Sequence, residues 1–283
     1  MTCRPDLQTA RTPTLAPPQT RGAPSTTASL LLLQTLAVAR RILIEQARQP
    51  RSLFFWGLFP ALMMLLFGLI YGHNAAMRVG LDATPAGILI GAALFFSCLG
   101  GTMAIVVGER ERGTLRRLLL SPLHPAAYFL GIVLALGVVA ALQTVVVFAT
   151  AWPLGARYQG SLWLGALVVA LSVFSYVGIG FFFAARYARR AEDLNGPLAA
   201  LGVPLLVLGG TFFPLSLMPD FLVAIARINP VLHMSEALKG VAGQGLGAGG
   251  IAGELLFLAV FSAAALALGA WSYRRLLASE ASA

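Results

Sequence analysis

The fold class is decided by residues 126–153, which read AAYFLGIVLALGVVAALQTVVVFATAWP. This stretch contains no Asp, Glu, Lys or Arg. It exceeds the roughly 20 apolar residues that a helix needs to cross the hydrocarbon core of a bilayer. A single segment can satisfy its own backbone hydrogen bonds inside a bilayer only as a helix. The stretch therefore predicts a transmembrane helix.

Five other charge-free stretches have the same character, and they are residues 52–72, 86–108, 158–185, 194–219 and 255–273. The composition agrees, because 58% of the chain is apolar and only 11% is charged, whereas soluble domains carry about 25% charged residues. We therefore predict an all-α membrane protein with six transmembrane helices in one domain, residues 52–275.

The regions that flank this domain differ from it. Residues 1–28 are rich in Pro and Thr and predict a disordered tail. Residues 29–51 predict an amphipathic helix, with an apolar stripe opposite a polar one. The stripes are Leu32, Leu36, Ala39 and Leu43 against Gln34, Arg41, Glu45 and Arg48. Such a helix suits a membrane surface or a protein partner, and these two interpretations are compatible.

The distribution of basic residues predicts the topology. From residue 29 onward, thirteen arginines lie before the first stretch, between the second and third, between the fourth and fifth, and after the sixth. The other side has four basic residues, Arg78, Arg157, Arg227 and Lys239. Because basic loops stay in the cytoplasm, we expect a multi-pass protein of the cytoplasmic membrane with both termini inside, and a cytoplasmic tail at 276–283. The net charge of +9 then reflects topology, and no nucleic acid is expected.

The sequence lacks the residues that ATP hydrolysis, metal binding and ion coupling require. The single lysine, Lys239, does not follow a glycine, so the sequence contains no GxxxxGK[ST] loop for ATP. Cys3 and Cys98 give no metal-ligand spacing, and we expect neither a metal site nor a cofactor in this chain. The six stretches also lack the ionisable groups that bind a coupling ion, which disfavours an ion-coupled carrier.

Residues 109–122 lie in a loop predicted to be cytoplasmic, between the second and third stretches. Leu115, Leu118 and Leu119 share one helical face. A short amphipathic helix of this kind can dock its leucines in a groove of another protein. The alternative is a basic loop that lies on lipid headgroups.

The 211–243 segment, between the fifth and sixth stretches, is too apolar for an ordinary loop and is interrupted by Pro214, Pro219 and Pro230. It predicts short re-entrant helices on the outer side, provided that protein covers their ends. The alternative is a long span followed by a surface helix.

Together these two segments resemble the permease subunit of type 2 ATP-binding-cassette exporters, which move drugs, lipids or polysaccharides out of bacteria. The resemblance covers about residues 30–275. Its first motif consists of Glu109, Glu111, Gly113, Thr114, Leu115, Ser121 and Pro122. Its second comprises Phe213-Pro214-Leu215, Met218-Pro219, Asn229-Pro230 and Glu236-Ala237-Leu238. The chain departs from the family with Arg116, where an acidic residue is usual, and with Lys239, where Arg is common.

The resemblance implies a half-transporter without catalytic residues. Two permease chains, as a homodimer or heterodimer, would be driven by separate ATPase subunits that bind ATP and Mg. Helix 29–51 would be the connecting helix, and residues 109–122 would be the coupling segment. The coupling residues would be Glu109, Glu111, Arg112, Gly113, Thr114, Leu115, Leu118, Leu119, Ser121 and Pro122. The outer re-entrant segment would include Pro214, Pro219, Asn229, Pro230 and Glu236. The candidate pathway residues are Phe95, Phe96, Phe212 and Phe213.

A largely uncharged, aromatic pathway of this kind would suit an amphiphilic, drug-like, lipid or glycan cargo. The resemblance implies export by alternating access. The alternative function is a membrane anchor or assembly subunit that transports nothing.

Overall fold

A computed structural model describes residues 27–49, 54–73, 78–119, 123–187, 190, 192–213 and 215–281. Within these ranges the chain is helical and contains no β-strand, which confirms the predicted all-α class. The predicted tail lies outside the described residues, except for its last two positions, which are the first turn of a helix.

The described α-helices are numbered here in chain order. They are α1 (Thr27–Ala47), α2 (Phe59–His73), α3 (Thr84–Ile88), α4 (Gly101–Glu111), α5 (Thr114–Leu119), α6 (Pro125–Ala151), α7 (Leu162–Arg186), α8 (Glu192–Leu208), α9 (Asp220–Ala226), α10 (Pro230–Gln244) and α11 (Ala252–Ala281). A π-helical turn (Phe54–Leu58) precedes α2, and a π-helical segment (Leu89–Gly100) joins α3 to α4.

Five helical stretches are long and apolar enough to cross a membrane, namely Trp56–His73, Leu81–Glu111, Pro125–Leu154, Leu162–Arg186 and Ala252–Ala278. The pair α9 and α10, bent by 92°, adds a sixth if it is counted as one broken span. The second of the five, Leu81–Glu111, is buried along most of its length, whereas the first and the last expose most of theirs. The second span is therefore the centre of the bundle.

The fifth predicted stretch, 194–219, is shorter in the structure. Its helix, α8, has 17 residues, which is about 25 Å at 1.5 Å per residue. It ends at Leu208 because Gly210 has a φ of 62°, a left-handed conformation that favours glycine and stops a helix. The hydroxyl of Thr211 then donates to the carbonyl of Leu206 at 2.8 Å. The apolar run continued past this stop, so hydrophobicity alone could not place it.

The two terminal helices also differ from their predicted bounds. α1 ends at Ala47, before residue 51. α11 continues to Ala281, so most of the predicted 276–283 tail is helix. Val38 and Ile42 of α1 are buried, whereas Leu32 and Leu36 are 58% and 48% exposed. α1 therefore packs on the bundle with one face and leaves a leucine stripe uncovered, as a helix at a membrane surface does.

Candidate functional site

The coupling segment consists of the last turn of the second span, a two-residue turn and the short helix α5. Gly113 has a φ of 66°, and its N–H donates to the carbonyl of Arg110 at 3.1 Å. The Thr114 hydroxyl donates to the carbonyl of Glu109 at 3.0 Å across this turn. Gly113 therefore separates two helices, because a side chain at this φ would be strained. Glu109 and Glu111 belong to α4 and only residues 114–119 to α5.

Glu109 is the buried charge of this region, with 3% of its surface exposed. One carboxylate oxygen accepts a hydrogen bond from Nη2 of Arg41 on α1. The other accepts one from the hydroxyl of Tyr128, in the first turn of α6. A carboxylate can be buried when a cation and hydrogen bonds satisfy it in this way. Glu109 thus connects α1, α4 and α6, and these three residues are called the Glu109 cluster below.

The sequence indicated a different partner for Arg41. Its i,i+4 neighbour Glu45 lies 3.9 Å away from Nε, and both side chains are partly exposed. Glu109, which is 68 residues further along the chain, makes the direct and buried contact. A contact over that separation leaves no periodic signal. The only hint was the Glu-Arg-Glu run that ends an otherwise uncharged helix.

Of the three leucines predicted to dock in a partner, the structure describes the side chain of Leu115. Leu115 is 1% exposed and belongs to the chain's own core. This differs from the docking role predicted by helical spacing, because a six-residue helix must also be attached to the bundle. α5 is described, but the side chains of Leu118 and Leu119 lie outside what the structure describes, as do Ser121 and Pro122.

Charged and small residues form the accessible part of the segment. Glu111, Arg112 and Gly113 at the turn and Arg117 on α5 are all exposed. The exposed surface of the described coupling segment therefore carries charges of both signs. Such a surface can align a partner and fix its orientation.

The 211–243 segment is held to the end of α8 by side chains that bind backbone carbonyls. Asn229 accepts from the N–H of Val231 at 3.0 Å and donates to the carbonyl of Leu205 at 2.6 Å. It is the N-cap of α10, and Pro230 occupies the first helical position, where a missing N–H does no harm. The carbonyls at the C-terminus of a helix have no partner within it, and here Asn229, at the start of α10, supplies a donor for the carbonyl of Leu205.

Two further residues of α10 complete this attachment. The Ser235 hydroxyl donates to the carbonyl of Gly209. Lys239 donates to the carbonyl of Gly210 and to Glu236 Oε1, the latter at 3.1 Å. Sequence reasoning missed Ser235, because a buried serine in a helix gives no distinctive pattern. Pro219 is exposed and precedes α9, while Pro214 lies outside the described residues.

The aromatic candidates fall into two groups. Phe95 is 1% exposed, and its ring packs edge-to-face on Phe96 and on Tyr176. Phe212 stacks on Phe67 with 5.5 Å between ring centroids, and Phe213, 47% exposed, contacts the same ring edge-to-face. Within one chain Phe95 is part of the core, and Phe213 has the most accessible ring of the four.

Comparison with known proteins identifies this arrangement. Residues 33–242 match the ABC-2 type transporter family, and they include the coupling segment and all but the last residue of the 211–243 segment. The chain belongs to the ABC-2 type transporter family. As a member, it is a multi-pass membrane protein.

Three relatives agree with the family. The chain is 28% identical over 271 residues to a probable doxorubicin resistance ABC transporter permease protein, DrrC, of Mycobacterium tuberculosis, covering 92% of this chain and 95% of that one. It is 30% identical over 139 residues to a probable multidrug ABC transporter permease, YbhR, of Escherichia coli, covering 49% of this chain and 38% of YbhR. It is 28% identical over 148 residues to the inner membrane transport permease YhhJ of Escherichia coli, covering 52% of this chain and 39% of YhhJ.

Proposed function

We propose that this chain is the permease half of an exporter in the cytoplasmic membrane, driven by a separate ATPase subunit. Two permease chains, identical or different, would form the pathway. The ATPase subunits would bind ATP and Mg and would contact the coupling segment. The observation that carries the proposal is the Glu109 cluster, which joins this segment to three helices of the bundle.

The cluster suggests how a push at the coupling segment becomes a movement of helices. A partner would engage the exposed charges of Glu111, Arg112 and Arg117. Glu109 precedes Glu111 and Arg112 by two and three residues and is bonded to α1 and α6. Rigid elements joined by buried polar bonds move together. α1, α4 and α6 would therefore rotate as a unit when ATP closes the ATPase pair, and the pathway would open outward.

The direction and the cargo follow from the charge pattern and the relatives. Thirteen arginines on the side of both termini favour a cytoplasmic location for the coupling segment. The six predicted stretches contain no ionisable group that could bind a strongly charged cargo. DrrC is named for doxorubicin resistance. We infer an amphiphilic, drug-like or lipid-linked cargo, which Phe213 and its counterpart in a second chain would meet.

The 211–243 segment would close the outer end of the pathway. The bent pair α9 and α10 has the geometry of a re-entrant loop, and the bonds from Asn229, Ser235 and Lys239 fix it to the end of α8. This arrangement suits a stationary cover, against which the other helices move.

The proposal is tested in sealed vesicles that contain this chain and an ATP-binding-cassette ATPase that co-purifies with it, with doxorubicin as the probe. We expect ATP-dependent doxorubicin transport that persists when ionophores collapse the proton and sodium gradients. An ATPase variant without its catalytic glutamate is the control and should abolish transport. A gradient that drives transport without ATP would contradict the proposal. A complex that assembles and hydrolyses ATP but moves none of a panel of amphiphilic probes would instead favour the membrane anchor.

A further inference from the structure

A long groove runs along the outside of the bundle between α1, α6 and α7. Its volume is about 1540 Å³, and its wall includes Leu31 on α1, Val138 and Val145 on α6, and Val169 on α7. Pockets for drug-sized ligands are usually about 300–1,000 Å³. The groove lies within one chain, on different helices from the aromatic candidates of the pathway.

The length of the groove matches a bilayer. Its wall on the third span extends from Leu130 to Trp152, which is about 33 Å along a helix. The hydrocarbon core of a bilayer is about 30 Å thick. A ligand with extended acyl chains can fill a groove of this length, whereas a compact molecule would fill a fraction of it.

The polar atoms of the wall are already satisfied. The Thr35 hydroxyl donates to the carbonyl of Leu31, and the Thr144 hydroxyl to that of Ala140, both at 2.8 Å. The Tyr158 hydroxyl donates to the carbonyl of Ser161 at 3.0 Å, and burial raises its pKa, which keeps it protonated. These three side chains therefore need no bond from a ligand, and the wall accepts hydrocarbon without a desolvation cost.

An arginine lies at the end of the groove that is remote from α5. The guanidinium of Arg157 is 4.3 Å from the centre of the Trp152 ring, which belongs to the wall. The nearby carboxylate of Asp82 accepts instead from the Arg157 backbone N–H and from Gln159, each at 2.7 Å. Arg157 is exposed and has no ion pair within the described part of the chain. Tryptophan and arginine of this kind are typical of the headgroup level of a membrane.

We propose that this groove is a binding site for a phospholipid of the surrounding bilayer. The acyl chains lie along α6, and the phosphate pairs with Arg157 beside the face of Trp152. A negatively charged headgroup is preferred, because the guanidinium of Arg157 makes no ion pair with the described residues. The site is independent of the proposed export function, and it holds lipid whether or not the chain transports a cargo.

Gly137 offers a variant that fills the groove without disturbing the bundle. It belongs to the wall, and a Cβ built on it meets nothing within 4 Å. Gly137→Leu should therefore place its side chain in the groove, and Leu favours a helix over Gly. The matched control is Leu142→Phe, which adds bulk to the same helix at a position 63% exposed and outside the wall.

The experiment uses the full chain in nanodiscs that contain phosphatidylcholine and a phosphatidylglycerol with a photoreactive acyl chain. After illumination, mass spectrometry measures lipid adducts on peptides of α6 and α7. We expect Gly137→Leu to lose most of the adduct, while Leu142→Phe labels as the unmodified chain does. Arg157→Gln should lower the preference for phosphatidylglycerol by roughly fivefold. Unchanged melting temperatures establish that the variants are folded.

Equal labelling of all variants would overturn the proposal. A second overturning result would come from a photoreactive amino acid at position 145. If it cross-links two copies of the chain in place of lipid, the groove is a contact between permease chains.

Discussion

The coupling segment and the 211–243 segment are both polar attachments at the ends of apolar helices, but they are built differently. The first depends on a buried carboxylate with Arg41 and Tyr128 as partners. The second depends on Asn229 and Ser235, neutral donors that bind backbone carbonyls, together with Lys239. Removing one partner of a buried ion pair costs more than removing a neutral hydrogen bond. The first attachment should therefore be strong and depend on a single residue. The stability of the second should be shared among several weaker bonds.

The largest effect on stability is expected at Glu109. Glu109→Gln removes the charge that Arg41 pairs with. Breaking a buried ion pair usually costs about 3–5 kcal/mol, but Arg41 is partly exposed, which reduces the cost. We therefore expect the free energy of unfolding to fall by about 2 kcal/mol. Thermal melting in detergent measures it. Glu45→Gln is the matched control, because Glu45 is the exposed carboxylate beside the same arginine, and its effect should be within about 0.5 kcal/mol. Equal effects of the two variants would show that the buried contact does not dominate.

A close approach should make Gly87 the next most sensitive position. A Cβ on Gly87 would lie 2.1 Å from the carbonyl oxygen of Thr211, which is backbone and cannot move aside easily. Gly87→Ala should destabilise the chain by about 1–2 kcal/mol, at the lower end of the cost of overpacking. Gly72→Ala is the control, since a Cβ there meets nothing within 4 Å. If Gly87→Ala has the same melting temperature as the unmodified chain, the 211–243 segment does not pack on the second span as described.

Asn229 should contribute less to the free energy of unfolding, and its contribution can be divided between its two hydrogen bonds. Asn229→Ala loses the cap of α10 and the bond to Leu205, for about 1 kcal/mol. Asn229→Asp keeps the acceptor for the Val231 N–H but loses the donor to the Leu205 carbonyl. Hydrogen exchange of the Val231 amide, compared among the unmodified chain and the two variants, separates the loss of the cap from the loss of the bond to Leu205. If the Val231 amide is as protected from exchange in Asn229→Ala as in the unmodified chain, Asn229 does not act as the cap of α10.

The sequence predicted features that depend on neighbouring residues. Long apolar stretches predicted the helical class, and the predicted interruption of the 211–243 segment at Pro230 coincides with the break between α9 and α10. The features that it missed depend on distant residues or on one backbone angle. Arg41 and Glu109 meet across 68 positions, and the end of α8 depends on Gly210 within a continuous apolar run. Leu115 was assigned to a partner, because helical spacing shows a face but not what covers it.

The central claim is that the Glu109 cluster transmits movement from the coupling segment to the bundle. Cargo moved per ATP hydrolysed, measured in vesicles for the unmodified complex, Glu109→Gln and Glu45→Gln, tests it most directly. We predict that the Glu109→Gln complex still assembles and hydrolyses ATP but moves several-fold less cargo per ATP, while Glu45→Gln keeps the unmodified ratio. An unchanged ratio in an assembled Glu109→Gln complex would contradict the claim.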